Sequence, residues 1–167
     1  MDTQLETLEE DIHPLDNVED VLASHNWTFN RMNDDEIIVE VTGKSGKYNL
    51  FFVWQEDMNA LQFCAQLDLK IMDNNHTAAR EALLSMNESL WMGHFDLPKE
   101  TGKPSYRYTQ LFRGGSRIAA TETIEDMVDI SMAQCERHFP LFTLLASAND
   151  LNDQTLSLAL MDTAGES

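Results

Sequence analysis

The alternation of apolar and polar residues predicts four β-strands in the first half of the chain. In Leu61–Leu69 every second residue is apolar, a period of two that is typical of a strand with one buried face. Tyr48–Gln55 is apolar at most positions, which predicts a central strand covered on both faces. Two earlier strands, around Trp27–Arg31 and Ile37–Thr42, complete an antiparallel meander, with a tight turn at Gly43–Lys47.

Apolar residues that recur every three or four positions predict four helices. These helices cover Asn17–Ser24, Asn74–Leu90, a long segment from Thr121, and about Asp153–Met161. Asp16 is the expected N-cap of the first helix, and Pro140 should kink or break the long helix near His138. A second pair of strands, Trp91–Leu97 and Ser105–Arg113, lies between the second and third helices. The predicted order α-β-β-β-β-α-β-β-α-α is that of an α+β fold, an antiparallel β-sheet with helices packed on it.

Length and composition are those of one soluble domain. The 167 residues are 43% hydrophobic and 24% charged. We expect residues 1–14 to be an acidic disordered tail and residues 15–164 to form a single domain. No apolar run approaches the ~20 residues that cross a bilayer, and the N-terminus lacks the basic and apolar regions of a secretory signal. Cys64 and Cys135 are 71 positions apart and are the only cysteines, which favours free thiols and a cytoplasmic location.

The charge is strongly negative and unevenly distributed. With 29 acidic and 11 basic residues the formal net charge is −18, which disfavours binding to nucleic acid or to an anionic membrane. Met1–Asp20 holds eight acids and no base, whereas Lys99–Arg117 holds five of the eleven bases. The acidic arm could lie over this basic strip, but a solvated tail that serves solubility is the preferred interpretation.

Candidate chemistry is scarce along the chain. Gly43-Lys44-Ser45 lacks the upstream glycine of a phosphate-binding loop and precedes a strand, so we interpret it as a hairpin turn. Cys135 and His138 share a helix face, but two donors are too few for zinc, and we expect a buried thiol beside a hydrogen-bonded imidazole. No sequence argument brings a general base to Ser116. We therefore predict no catalytic residue, no cofactor and no metal site.

The segment Asn87–Gly115 is rich in the residue types that protein interfaces favour, namely Trp, Tyr, Met and Arg. Plain core packing explains about half of these side chains, and an edge strand in this segment could pair with another chain. The residues predicted to form a dimer seam or to contact a peptide are Trp91, Met92, Tyr106, Tyr108 and Arg113. Arg107 and Arg117 are further candidates for docking acidic segments.

Several blocks in this order resemble the YbjN family of bacterial proteins, which are also labelled sensory transduction regulators. The blocks are Leu15–Glu19, the Trp27 strand, Leu61–Cys64 with Leu67–Asp68, Asn87–Leu97, Leu111–Gly115, Cys135–Phe142 and Thr163–Glu166. Asn87–Leu97 and Leu111–Gly115 are the most specific of them. His138 and Leu141 depart from the family pattern, where we expect Tyr and Ala.

The resemblance implies a fold similar to that of type III secretion chaperones, small acidic α/β proteins that commonly dimerise and bind unfolded protein segments. It implies no reaction, no cofactor and no catalytic residue. Together with the interface-type composition, it predicts a non-enzymatic, dimeric, chaperone-like adaptor or sensory transduction regulator in a bacterium, with a protein or peptide partner. One alternative is a regulator that senses a small ligand in an apolar pocket lined by Trp54, Phe63 and Trp91. The other is a thiol-dependent or hydrolytic enzyme that uses Cys64 or Cys135.

Overall fold

A computed structural model of the chain describes residues 13–113 and 116–147, and within them it has three α-helices and six β-strands. The helices are α1 (Pro14–Ser24), α2 (His76–Glu88) and α3 (Arg117–Ser147). The strands are β1 (Phe29–Asn33), β2 (Glu36–Thr42), β3 (Lys47–Gln55), β4 (Ala60–Leu67), β5 (His94–Asp96) and β6 (Ser105–Leu111). Short 3-10 turns cover Glu56–Met58 and Asp73–Asn75. The predicted α+β class and the element order through the long helix are confirmed; the predicted helix at Asp153–Met161 lies outside the described residues.

All six strands form one antiparallel sheet in the order β1-β2-β3-β4-β6-β5. The first four strands are consecutive neighbours, which confirms the predicted meander. After α2 the chain returns to the free side of β4, where β6 pairs over its whole length and β5 forms the outer edge. The edge strand β5 is much shorter than the predicted Trp91–Leu97, because the residues before His94 form a loop.

The hydrophobic core lies between the helices and one face of the sheet. Tyr48, Leu50 and Phe52 of β3 are fully buried on this face, together with apolar side chains from all three helices. Phe51 and Val53, which point to the other face, are only half-buried. The prediction that β3 is covered on both faces is therefore wrong for the described residues, because their helices contribute to a single core.

Helix α1 begins at Pro14, earlier than predicted. The Nδ1 atom of the preceding His13 accepts a hydrogen bond from the Leu15 N–H at 3.1 Å, so His13 and not Asp16 is the N-cap. Proline suits this position because the first turn of a helix leaves its N–H groups without partners. Asp16 lies inside the first turn, where it accepts a hydrogen bond from Arg31 at 3.0 Å. The predicted acidic tail falls almost entirely on residues 1–12, outside the described residues.

The long helix α3 also starts earlier than predicted and continues past its proline. Ser116 caps it, because the Ser116 Oγ accepts a hydrogen bond from the Ala119 N–H at 3.1 Å. Pro140 lies inside the helix, which continues to Ser147, so the helix does not break near His138, and the alternative of a kink stays a prediction. A proline in a helix interior removes one backbone hydrogen bond and costs about 3 kcal/mol. Burial of apolar side chains on both sides of Pro140 offsets this cost; they are Phe139, Leu141, Phe142 and Leu145.

His138 is a buried core residue, as the sequence predicted. Its Nδ1–H donates to the Gln134 carbonyl at 2.9 Å, and its ring meets Phe95 edge to face at 5.0 Å. Burial lowers the pKa of His138 below its ordinary value of 6.5, and the hydrogen bond to Gln134 opposes that shift without cancelling it.

We expect the pH dependence of stability to change in His138→Gln. Because the folded-state pKa is lowered, the unfolded chain binds more protons than the folded chain once the pH falls below about 6.5. The free energy of unfolding therefore decreases as the pH falls from about 6.5 through the folded-state pKa, and it rises again as the pH is raised. The loss of melting temperature between about pH 7.5 and about pH 5.5 should thus be smaller in His138→Gln than in the wild type. His94→Gln, at an exposed position, is the control; an equal loss in all three proteins would contradict the assignment.

Candidate protein-binding site

The most unusual surface feature is the side chain of Trp91, which is 99% exposed. It lies in the segment Ser89–Gly93 between α2 and β5, which we call the Trp91 loop. Tryptophan is a large apolar side chain that proteins usually bury for most of its area. The neighbouring Met92 is 46% exposed, so the loop presents two large apolar side chains side by side. Large apolar groups in such a position are typical of interaction surfaces.

The Trp91 loop is anchored on its inner side by Asn87. The side-chain amide of Asn87 donates to the Phe95 carbonyl at 3.0 Å, and its oxygen accepts from the Phe95 N–H at 2.8 Å. One side chain thus satisfies both backbone groups of the residue at the centre of β5. The sequence predicted that an edge strand here could offer unpaired backbone groups to another chain. At Phe95 those groups are already occupied, which favours contact through side chains over strand addition.

Two tyrosines of β6 support the loop from below. The Tyr106 hydroxyl donates to the Met92 carbonyl, and the Tyr108 hydroxyl donates to the Met92 Sδ at 3.2 Å. Tyr106 is fully buried and its ring meets Phe95 edge to face at 5.2 Å. Burial raises the pKa of Tyr106 to about 12, which keeps its hydroxyl protonated and able to donate at neutral pH.

Gly93 closes the loop where no other residue fits well. Its φ of +68° lies in the left-handed region that favours glycine. A Cβ atom at this position would lie 2.5 Å from the Tyr106 ring carbon Cζ and 2.8 Å from the Arg107 carbonyl oxygen. The backbone of the loop is therefore packed directly onto β6, and the exposed indole stands on a rigid support.

The seven predicted site residues divide between this loop and other places. Trp91, Met92 and Tyr108 lie together at the loop, whereas Tyr106 is buried beneath it, so Tyr106 positions the loop and does not itself reach a partner.

The three predicted arginines have separate surroundings. Arg107 lies on the sheet face opposite the core, with its Nη1 atom 3.6 Å from the Asp96 carboxylate. Arg113 is exposed just after β6. Arg117 at the start of α3 donates to Asp20 of α1 at 2.7 Å, a partly exposed pair that contributes little to stability.

The structure corrects the pocket predicted for a small ligand. Trp54 and Phe63 are buried in the core, whereas Trp91 is fully exposed, so these three side chains do not line one cavity.

The Gly43-Lys44-Ser45 segment forms the predicted hairpin turn between β2 and β3. The backbone N–H groups of this turn are already occupied. The Glu136 carboxylate accepts hydrogen bonds from the Lys44 N–H at 3.0 Å and from the Ser45 N–H at 3.2 Å.

Neither cysteine has the environment of a reactive thiol. Burial raises the pKa of Cys64, and the nearby Arg107 and Ser105 only partly oppose that shift. Burial also raises the pKa of Cys135, which lies in the core. A catalytic thiol needs a lowered pKa and access to solvent. Ser116, which the sequence analysis considered as a nucleophile, has a structural role instead. Its hydroxyl accepts a hydrogen bond from the Ala119 N–H and so caps α3.

We expect both thiols to react slowly in the native protein at about pH 7.5. Cys135 should react only on unfolding, and Cys64 should react faster as the pH rises, because its raised pKa limits the thiolate. The rates can be followed with a chromogenic disulfide reagent, with the denatured chain as the control for two reactive thiols. Fast reaction of either thiol in the native protein would revive the thiol-enzyme hypothesis.

Comparison with known proteins agrees with the predicted resemblance. The family model described as "Putative bacterial sensory transduction regulator", YbjN, matches residues 14–144. The chain belongs to the YbjN family. This family description names a regulator and no enzymatic activity. No curated protein matches the chain.

The fold is similar to that of a solved YbjN protein, described as "a putative transcription regulator from E. coli". The two share 14% sequence identity with a TM-score of 0.51, over 76% of this chain and 93% of that one. At this identity the likeness shows the fold alone. Among the described helices, none is long and apolar enough to span a membrane.

Proposed function

We propose that this YbjN-family chain is a non-enzymatic protein-binding module that works in the bacterial cytoplasm as a homodimer. In this proposal it acts as a chaperone-like adaptor or sensory transduction regulator, and the Trp91 loop is its contact surface. The observation that carries the proposal is the complete exposure of Trp91 on a loop that Asn87, Tyr106 and Gly93 hold in place.

A rigid loop favours binding for a physical reason. Ordering a flexible segment at an interface costs about 0.5–1.5 kcal/mol for each immobilised side chain, and a loop that is already ordered avoids much of that cost. Tryptophan is also the residue type most enriched among the few side chains that dominate binding energy. The loop therefore combines an apolar anchor with a support that is formed before binding.

The cellular setting of the proposal rests on the family and on the chain's chemistry. Cys64 and Cys135 are free thiols, which suits a reducing compartment. The net charge of −18 disfavours nucleic acid as a direct ligand, so we propose that any regulatory action proceeds through protein partners.

The dimer is tested by light scattering on the full chain. We expect a mass near twice the 19.0 kDa of one chain at micromolar concentration. Met92→Lys should shift the mass toward the monomer, because it places a charge in the proposed contact. Met58→Lys is the matched control, since Met58 is 62% exposed in the turn between β3 and β4. If the chain is a monomer at every concentration, the proposed homodimer is wrong. If the two variants have equal effects, the Trp91 loop is not the contact surface.

A further inference from the structure

A histidine and two carboxylates converge where the end of α1 meets the middle of α3. His25 follows α1, whereas Glu125 and Asp129 lie one turn apart on α3. The three donor atoms all lie within 4.8 Å of one another. The Nε2 atom of His25 is 2.7 Å from the Glu125 carboxylate. Packing of α1 against α3 brings the three residues together across 100 positions of sequence, which is why no local spacing of ligands predicted them.

The imidazole of His25 is held in a defined orientation. Its ring stacks on the Trp27 ring, with centroids 4.4 Å apart and an angle of 16° between the planes. The backbone on either side is also fixed, because the Trp27 N–H donates to the Leu22 carbonyl at 3.0 Å and the His25 N–H to the Val21 carbonyl at 3.2 Å. The Nε2 atom therefore points to the carboxylates from a rigid base.

The carboxylates lie on a stretch of α3 that has acids and no bases. From Ile118 to Glu136 inclusive, the helix contains five acidic residues and neither Lys nor Arg. Like charges one turn apart on a helix repel each other, so Glu125 and Asp129 destabilise α3 unless a cation lies between them. His25 is also the C-cap of α1, where the helix dipole is negative and favours a bound cation.

We propose that His25, Glu125 and Asp129 form a binding site for a divalent transition-metal cation. One imidazole nitrogen and two carboxylate oxygens make a donor set that suits Zn²⁺ and similar ions, with water in the remaining positions. Donors bound to one zinc ion at about 2.0–2.2 Å are about 3.3–3.6 Å apart when the arrangement is tetrahedral. The His25 Nε2 and the Glu125 carboxylate, which lie 2.7 Å apart, therefore have to separate by about 0.6–0.9 Å, while the exposed Asp129 side chain closes in.

Such a site would link metal binding to the packing of α1 against α3. It would stabilise the fold, because an ion that binds only the folded chain shifts the unfolding equilibrium. The Trp91 loop takes no part in it, so the proposal stands whether or not that loop is the protein contact.

The test is calorimetric titration of the full chain with Zn²⁺ alone, after removal of metals with a chelator. We expect one zinc ion per chain and a rise in melting temperature with zinc concentration. His25→Ala and Asp129→Asn should each weaken binding by about tenfold or more, since even outer partners of a metal site cost 10–100-fold when removed. Cobalt should bind to the same chain and give visible absorption that Asp129→Asn abolishes.

Two matched controls separate a site from diffuse attraction to a negative surface. Asp126→Asn removes one acid from the same exposed side of α3 without touching the cluster, and His94→Ala removes an exposed imidazole. Both should bind zinc like the wild type. The proposal is overturned if Asp126→Asn weakens binding as much as Asp129→Asn, or if no zinc binds at about 0.1 mM. Asp129→Asn keeps the test valid if His25→Ala fails to fold, because the Asp129 side chain is exposed.

Discussion

Trp91→Ala should strongly weaken self-association or partner capture while leaving the folded protein about as stable as the wild type. An indole that is 99% exposed contributes almost nothing to the core, so its removal should change the free energy of unfolding by less than ~0.5 kcal/mol. Side chains that dominate an interface cost about 2–4 kcal/mol when truncated to alanine. Since each 1.4 kcal/mol is a tenfold change in affinity, we expect binding to weaken at least ~30-fold.

The control for Trp91→Ala is a substitution of a second large apolar side chain that is also mostly exposed to solvent. Ile118 at the start of α3 is 72% exposed, and Ile118→Ala should change neither stability nor binding. Sedimentation across a concentration series measures the association, and thermal unfolding measures stability. If Trp91→Ala binds like the wild type, or if both variants weaken binding to the same degree, the Trp91 loop is not the contact surface.

Much of the fold could be predicted from the sequence because it depends on local patterns. The alternation in Leu61–Leu69 is a property of neighbouring residues, and it correctly predicted β4 with one buried face. The pattern of β3 was apolar on both sides, but no local signal says which face of a sheet the helices will cover. The start of α1 was missed because its cap is His13, a residue type outside the usual Ser, Thr, Asp and Asn.

The candidate site could be predicted only in part, for a similar reason. Composition singled out Trp91 and Met92, and the structure places both on one exposed loop. The roles of Asn87 and Gly93 depend on contacts with Phe95 and with β6, which no spacing along the chain reveals. The block Asn87–Leu97 was part of the family resemblance, and that was the only sequence signal that pointed to Asn87 and Gly93.

Gly93→Ala should both destabilise the fold and weaken binding through the Trp91 loop. A non-glycine residue at a φ of +68° costs about 1–2 kcal/mol, because its Cβ crowds the following carbonyl. The added methyl would also lie 2.5 Å from the Tyr106 ring, and Tyr106 has no free space to move into because it is fully buried. Overpacking of this kind costs a further ~1–3 kcal/mol. We therefore expect a loss of about 2–5 kcal/mol in the free energy of unfolding, measured by urea denaturation.

Gly102→Ala separates the cost of the backbone conformation from the cost of overpacking against Tyr106, because Gly102 has nearly the same φ as Gly93. Its φ is +65°, but the closest atom to an added Cβ is the Ile71 carbonyl oxygen at 3.0 Å, followed by the flexible Lys70 side chain at 3.4 Å. Gly102→Ala should thus show mainly the backbone cost of about 1–2 kcal/mol and should bind like the wild type. If the two variants lose the same stability, contact with Tyr106 is not what holds the loop. If Gly93→Ala is destabilised yet binds normally, the loop works without its rigid support, and preorganisation is not the source of its affinity.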